Sequence, residues 1–151
     1  MRLQAHLGLM VGINEAIQEL ADEFALLPDW EERIAHVIEL ARTLAPLEES
    51  ERNEENRVRG CVSRVWLVSD RNPDAPGKLF FRGDSDAHLV RGEIAMLLRI
   101  FSGRTPDQIL FTDPRAVFER LGLKEALTVQ RSNGLLSMMS RIQEEARAAQ
   151  S

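Results

Sequence analysis

Strand-forming residues occur in one block near the middle of this chain, with helix-forming patterns on both sides of it. Residues 58–69 are rich in valine, tryptophan and leucine, residues 70–77 contain two prolines and a glycine, and residues 78–82 are again largely apolar. This order predicts a β-hairpin with a long turn. A short strand at 57–60, bent at Gly60, is expected to pair beside the hairpin and to place Cys61 at the corner. Since the strands do not alternate with helices, the sequence predicts an α+β fold: a small antiparallel three-stranded sheet packed against helices on one face.

The flanking helices are predicted from apolar residues at helical spacing. Residues 48–57 contain no apolar residue, so they are expected to form a solvated connector, whereas Trp30 and Trp66 are expected in the core. The chain is predicted to be one domain over residues 1–151, with residues 1–13 as an N-terminal extension and 14–147 as the core. The expected helices are one at 14–27 capped by Asn14, one from 29 that ends before Pro46, one that follows capping side chains at Asp84, Ser85 and Asp86 and ends at Gly103, a turn at 107–110, one from Asp113 to Gly122, and one at roughly 132–147 capped by Ser132.

The charge of the chain narrows the classes of partner. The formal net charge is −5, so no overall positive field favours nucleic acid or an anionic membrane. No segment approaches the roughly 18 uninterrupted apolar residues needed to span a bilayer, and the first residues lack the pattern of a signal peptide. Together with a free cysteine, these features predict a cytoplasmic protein whose partner is another protein or a small molecule.

Cys61 is the only cysteine in 151 residues. An intramolecular disulfide is therefore impossible, and a zinc site built from several cysteines is excluded. A lone cysteine often serves only as a small apolar filler in a core. Here Gly60 indicates a backbone turn, and the arginines at 57, 59 and 64 are each able to favour a thiolate. The same arginines are equally compatible with solvated surface charges. Cys61 is thus the strongest candidate for chemistry.

Other common types of site find no support in the sequence. The histidines at positions 6, 36 and 88 are too far apart for a helical pair or a finger spacing, so no metal site is predicted. There is no glycine-rich phosphate loop, and the Gly83–Asp86 segment is acidic where such a loop offers amides and a lysine. Nucleotide binding is therefore not expected.

Four sequence blocks, in their order along the chain, resemble the SufE-like sulfur acceptors of iron–sulfur cluster assembly. The similarity extends from about residue 20 to residue 147 and implies a SufE/IscU-like two-layer sandwich. Two features depart from the family pattern: the extension at 1–13, and Glu93, which stands where an apolar residue is common. Neither lies within the thiol motif. The blocks are Trp-Glu-Glu at 30–32, VRGCVSRVWL at 58–67, GDSDA at 83–87 with VRG at 90–92, and RSNGL at 131–135.

The resemblance implies a function for Cys61. The thiol would take persulfide sulfur from a PLP-dependent cysteine desulfurase of the SufS type, stimulate that enzyme, and deliver the sulfur to a scaffold of the SufB type. The loop that bears the thiol is expected to lie against apolar surface when idle and to swing outward on docking. No cofactor is implied for this chain itself, which is expected to be a monomer or a homodimer. The partner-binding or accessory positions implied by the resemblance are Gly60, Arg59, Ser63, Asp86 and Arg131.

Two other readings stay open on the sequence alone. Cys61 is also suited to a single-cysteine redox sensor or thiol peroxidase that cycles through sulfenic acid. Alternatively, the chain is an adaptor whose docking surface matters and whose thiol does not. Peroxide consumption without a desulfurase distinguishes the first, and full partner stimulation by Cys61→Ser distinguishes the second.

Overall fold

The computed structural model describes the backbone of residues 2–150 and the side chains of residues 12–124 and 126–150. Met1, which belongs to the predicted N-terminal extension, lies outside the described residues. Single 3₁₀ turns occur at Ala41–Thr43, Glu49–Glu51 and Leu123–Glu125. The main elements, in chain order, are helices α1 (Arg2–Ala25) and α2 (Trp30–Leu40), strands β1 (Val65–Arg71) and β2 (Leu79–Ser85), and helices α3 (His88–Phe101), α4 (Pro106–Phe111), α5 (Pro114–Arg120) and α6 (Val129–Gln150).

The fold is α+β, as predicted, but the sheet in the described chain has two strands and not three. Strands β1 and β2 form the antiparallel hairpin, in which Trp66 pairs with Asp84 and Leu67 with Gly83. The segment predicted as a third strand makes a single bridge to β1, and its ladder consists of Val58 N–H donating to Val65 O at 2.9 Å and Leu67 N–H donating to Asn56 O at 2.8 Å. Pairing stops there because Gly60, with φ +89°, turns the chain away from the sheet.

The opposite edge of the hairpin is also bridged. Leu79 N–H donates to Arg104 O at 2.8 Å, and Gly103 N–H donates to Leu79 O at 2.7 Å. The Ser102 hydroxyl accepts a further hydrogen bond from Phe81 N–H at 2.9 Å. The chain that leaves α3 is therefore held along β2.

Several helix ends differ from their predicted positions. Helix α1 runs through Asn14, so this residue does not cap it. Helix α6 begins at Val129, before the predicted cap Ser132, and the hydroxyl of Thr128 accepts a hydrogen bond from Arg131 N–H. The predicted cap at Asp113 is confirmed, because its side chain accepts from Arg115 N–H.

The connector at 48–57 was predicted to be simply solvated, but the structure attaches it to the hairpin. Arg82 Nη2 lies 2.6 Å from Glu51 Oε2, and Arg52 Nη2 lies 2.7 Å from Asp84 Oδ2. These partners lie about thirty residues away in sequence. The apolar-free composition correctly indicated that the segment adds little to the core, but it did not reveal this attachment.

Helix α3 has the most buried face, and it packs against α1, α2, α6 and β2. Leu97, Ile100 and Phe101 on this helix are almost completely buried. The core prediction holds for Trp66, which is 8% exposed. It fails for Trp30, which is half-buried and lies beneath the guanidinium of Arg33 at 4.7 Å. Within residues 2–150, no helix is both long enough and apolar enough to cross a membrane.

Candidate functional site

Cys61 lines a cavity of about 310 Å³ between the loop that precedes β1 and the first turns of α3 and α6. The loop contributes three neighbouring side chains and the two helices contribute the rest. The wall is mixed, because apolar side chains share it with a carboxylate and a guanidinium. Its residues are Cys61, Val62, Ser63, Ala87, His88, Leu89, Val90, Glu93, Gln130, Arg131, Gly134 and Met138.

The loop that carries Cys61 is fixed at both ends. Before it, Arg141 on α6 donates to the carbonyl oxygens of Arg57 at 3.1 Å and Glu55 at 2.9 Å. After it, the carboxylate of Asp86 accepts from Arg64 N–H at 3.1 Å and from Arg64 Nε at 3.2 Å. Between these anchors lie residues 59–63, whose Val62 side chain is 73% exposed.

The thiol itself is half-buried against α6. Its Sγ donates a long hydrogen bond to Gly134 O at 3.6 Å. Burial raises the pKa of the Cys61 thiol, and the charge of Glu93 raises it further, whereas Arg57 opposes the rise. A thiol in this half-buried position against α6 is therefore protonated and weakly nucleophilic at neutral pH.

The expectation that arginines 57, 59 and 64 each favour a thiolate holds only for Arg57, and burial outweighs its effect. Arg59 is exposed and lies 3.3 Å from Glu54, and Arg64 pairs with Asp86. Only the effect of Arg57 lowers the pKa of the Cys61 thiol, and the pKa is nevertheless raised because burial dominates. Proximity in sequence placed these cations near the cysteine, but each of them pairs with a carboxylate, Arg57 and Arg59 with Glu54 and Arg64 with Asp86.

Glu93 is a cavity residue that the sequence reasoning did not place at the site. It is 4% exposed, and its Oε1 has no hydrogen-bond partner among the described atoms. Burial raises the pKa of Glu93 to about 7, although the charge of Arg131 favours the ionised form. A signal existed in the sequence, since position 93 follows Val90 by three residues and precedes Leu97 by four, which puts it on the apolar stripe of α3.

The acidic segment before α3 does not cap that helix, contrary to the prediction. The N-cap residue is Ala87, which makes no side-chain capping bond. Asp84 instead accepts from Arg52 at 2.7 Å and from Arg91 Nε at 2.8 Å. The Ser85 hydroxyl donates to Arg64 O at 2.6 Å. These hydrogen bonds hold together the segment at 48–57, strand β2, helix α3 and the end of the loop that carries Cys61.

The structure brings together some of the predicted site residues. Ser63 and Arg131 line the cavity with Cys61, and Gly60 is the neighbouring turn residue. Arg59 and Asp86 lie outside the cavity wall, one exposed on the loop and the other anchoring its end.

Two of the three histidines have described side chains. His88 lines the cavity, while His36 lies 2.8 Å from Glu23 and packs edge-on against Phe24. The side chain of His6 lies outside the described residues. Among the described side chains, no three His, Cys, Asp or Glu residues are grouped so as to hold a metal ion.

Gly60 is predicted to tolerate alanine poorly for two separable reasons. Its φ of +89° is unfavourable for a residue with a Cβ, and an ideal Cβ would lie 2.5 Å from the Ser137 hydroxyl. Gly77, with φ +83° and nothing within 4 Å, is the matched control for the backbone strain alone. We expect Gly77→Ala to lower the free energy of unfolding by about 1 kcal/mol and Gly60→Ala by about 2 kcal/mol. Urea denaturation measures both, and equal losses would show that the contact with Ser137 contributes nothing.

Comparison with known proteins gives a consistent set of matches. A family model described as "SufE: Fe-S metabolism associated domain" matches residues 18–146. An uncharacterized SufE-like protein of Rhizobium etli is 45% identical over 133 residues, which are 87% of this chain and 90% of the relative. Another from Rhizobium meliloti is 46% identical over 132 residues, covering 87% of this chain and 94% of the relative.

A solved structure has the same fold. The solution structure of a hypothetical protein from Thermus thermophilus superposes with a TM-score of 0.72 at 24% sequence identity. The match covers 89% of this chain and 95% of that one. At this level of identity the likeness concerns the fold alone.

Proposed function

Because the chain belongs to the SufE family, which is associated with iron–sulfur metabolism, we propose that it is a sulfur carrier that accepts persulfide sulfur on Cys61. The donor is a PLP-dependent cysteine desulfurase of the SufS type, which the chain also stimulates, and the recipient is an iron–sulfur scaffold of the SufB type. The chain then acts as a single domain in the cytoplasm.

One observation carries the proposal: the only thiol of the chain lies on an anchored loop and faces a cavity with room for more than its own sulfur atom. Residues 59–63 contain the positive-φ glycine, and both ends of the loop are held by α6 and by Asp86. A loop of this kind carries its apex outward without disturbing the hairpin. The sulfur is sheltered when the loop lies against α6, and it is accessible when the loop has moved away from that helix.

The proposed transfer is an exchange at an S–S bond. The Cys61 thiolate attacks the outer sulfur of the partner's cysteine persulfide, the new bond forms to Cys61 Sγ, and the old S–S bond breaks as the partner's thiolate leaves. The proton lost by Cys61 balances the proton gained by the leaving thiolate, so a thiol and a persulfide exchange roles without net oxidation. The thiol has a raised pKa while the loop lies against α6. The loop must therefore move into water before Cys61 attacks efficiently.

The accessory residues have positions that suit this sequence of events. Arg59 is exposed on the loop, where it is available to a partner surface. Asp86 holds the trailing end of the loop, and Ser63 and Arg131 line the cavity to which the thiol returns. We therefore assign partner contact to Arg59 and loop positioning to Gly60, Ser63, Asp86 and Arg131.

Incubation with an active cysteine desulfurase and cysteine tests the carrier step. Wild-type protein is expected to gain about 32 Da, one sulfur atom, in intact-mass analysis, and the gain is expected to disappear on reduction. Cys61→Ser contains no thiol at all, so it is expected to gain nothing while remaining folded. Absence of the gain in wild type with a cognate desulfurase would refute the carrier role.

Two control reactions separate the alternatives. Alanine production by the desulfurase is expected to rise with wild-type protein and to fall toward its basal rate with Cys61→Ser. Full stimulation by that variant would identify an adaptor whose thiol is not needed. Rapid turnover of hydrogen peroxide without any desulfurase would identify a thiol peroxidase.

A further inference from the structure

The hydrogen-bond partners in the cavity are unbalanced while Cys61 is a thiol. The thiol has one proton to donate, and it is directed to Gly134 O at 3.6 Å. The Oε1 atom of Glu93, which lines the same cavity, accepts nothing from the described residues. A buried acceptor without a donor is unfavourable, and folded proteins retain few of them.

A persulfide on Cys61 changes this balance. The added sulfur extends the side chain by an S–S bond of about 2.05 Å, and the only proton then lies on the outer sulfur. Sγ no longer donates to Gly134 O. The loaded side chain therefore carries its donor one bond beyond Sγ, and Glu93, whose Oε1 is an unused acceptor, lines the same cavity as Cys61.

We propose that Glu93 is the positioning residue for the loaded form, in which the outer S–H of the Cys61 persulfide donates to Glu93 Oε1. This inference rests on the carrier function proposed above and adds a residue that the loaded and empty forms use differently. The hydrogen bond holds the persulfide in the cavity and keeps its proton on the outer sulfur. Because a hydropersulfide anion is the more nucleophilic and more easily oxidised form, the bond shields the cargo until the loop is released.

The charged groups around Glu93 are compatible with this role. Arg131 on α6 interacts with the carboxyl and favours its ionised form. His88 shares the cavity wall, Arg33 on α2 lines a second, small pocket together with Glu93, and Arg57 lowers the pKa of the thiol. No described group donates a hydrogen bond to Oε1, so the hydrogen-bonding capacity of this oxygen is unused in the empty form.

The test loads the protein chemically and compares the reactivity of its two forms. Sodium polysulfide converts part of the Cys61 thiol to persulfide without a desulfurase, and iodoacetamide then alkylates both forms in the same tube. Intact mass distinguishes the alkylated persulfide from the alkylated thiol by about 32 Da, so one time course gives both rates. The rate ratio of persulfide to thiol cancels any general change in access to the loop.

We expect Glu93→Leu, which removes the acceptor and keeps an apolar side chain of similar size, to raise this ratio at least threefold over wild type. Glu93→Gln keeps an oxygen acceptor, so its ratio is expected to lie closer to that of wild type. Glu119→Gln, an exposed substitution on α5, is the control and is expected to leave the ratio unchanged. An unchanged ratio in Glu93→Leu, equal ratios in the Leu and Gln variants, or failure of wild type to retain the extra sulfur would each overturn the proposal.

This test is independent of the carrier step. A protein that fails to accept sulfur from a desulfurase but shows the expected ratios after polysulfide treatment refutes the proposed function and not the role of Glu93. A protein that accepts sulfur normally but whose rate ratio does not change in Glu93→Leu refutes the role of Glu93 and not the proposed function.

Discussion

Alanine at position 92 is expected to destabilise the protein by about 3 kcal/mol, because the added methyl group has no space between α3 and α2. An ideal Cβ on Gly92 would lie 2.2 Å from the carbonyl oxygen of Val37, 2.6 Å from its carbonyl carbon and 3.0 Å from the backbone nitrogen of Ile38. These are backbone atoms of a helix, so no rotamer change relieves the overlap. One helix must move away from the other, and the buried side chain of Val37 then loses its close packing.

Gly134→Ala is the matched control for this substitution. Gly134 also lies inside a helix, but its added Cβ would be 3.9 Å from Cys61 Sγ, an ordinary van der Waals distance. Alanine has the higher helix propensity, so Gly134→Ala is expected to stabilise by about 0.5–1 kcal/mol. Chemical denaturation of both variants measures the difference. A Gly92→Ala protein as stable as the Gly134→Ala protein would mean that α2 and α3 separate at little cost.

Glu93→Leu is expected to stabilise the protein at alkaline pH, whereas Gly92→Ala at the neighbouring position is expected to destabilise it. The pKa of Glu93 is about 7 in the folded protein, whereas a glutamate in the unfolded chain titrates near about 4.3. Below about pH 4 both states are protonated, and the carboxyl has no pH-dependent effect on stability. Between these two values the folded state binds more protons than the unfolded state, so the free energy of unfolding falls as pH rises.

The loss is complete above the folded-state pKa, where it amounts to about 4 kcal/mol at most. Glu93→Leu removes this loss, so we expect a gain of about 2–3 kcal/mol over wild type at pH 8 and a much smaller difference at pH 4. Taking the difference between variant and wild type cancels other groups, such as Glu23, whose lowered pKa gives stability that is lost as pH falls. Denaturation at several pH values measures the difference, and Glu93→Gln is the isosteric control without a titrating group. A variant advantage that does not change between pH 4 and pH 8 would contradict this account.

The location of Glu93 suggests why such a cost is retained. A carboxyl that destabilises the empty protein at neutral pH lines the same cavity as Cys61, the side chain on which we propose that sulfur is carried. The proposed hydrogen bond in the loaded state offsets part of that cost. Stability measured on empty and loaded protein is therefore expected to differ, and the difference is expected to shrink in Glu93→Leu.

Local patterns in the sequence predicted the parts of the fold that local residues determine. The turn chemistry of Pro73, Pro76 and Gly77 correctly indicated the hairpin, and the apolar stripes correctly indicated α3 and α6. Trp66 was correctly predicted to be buried. The third strand was predicted at 57–60 as a short segment bent at Gly60, but the pairing at 56–58 is a single bridge and ends where Gly60 turns the chain.

The errors at the site have a common physical cause, which is competition from partners distant in sequence. Asp84 was expected to cap α3, but Arg52 and Arg91 bind its carboxylate. The arginines around Cys61 were expected to stabilise a thiolate, but Glu54 pairs with Arg57 and Arg59, and Asp86 pairs with Arg64. Charged side chains are long enough to choose among several partners, and the sequence does not show which will be nearest.

The single bridges on the two sides of the hairpin have a consequence for solubility during turnover. A two-stranded sheet has two free edges, and exposed backbone at an edge is a template for aggregation with other chains. Residues 56–58 cover part of β1, and residues 102–104 cover part of β2. The loop movement proposed here begins at residue 59, beyond the covering segment, which Arg141 holds in place. Repeated exposure of the thiol therefore leaves the covered part of each sheet edge paired, so the proposed carrier can move between partners without uncovering more of either edge.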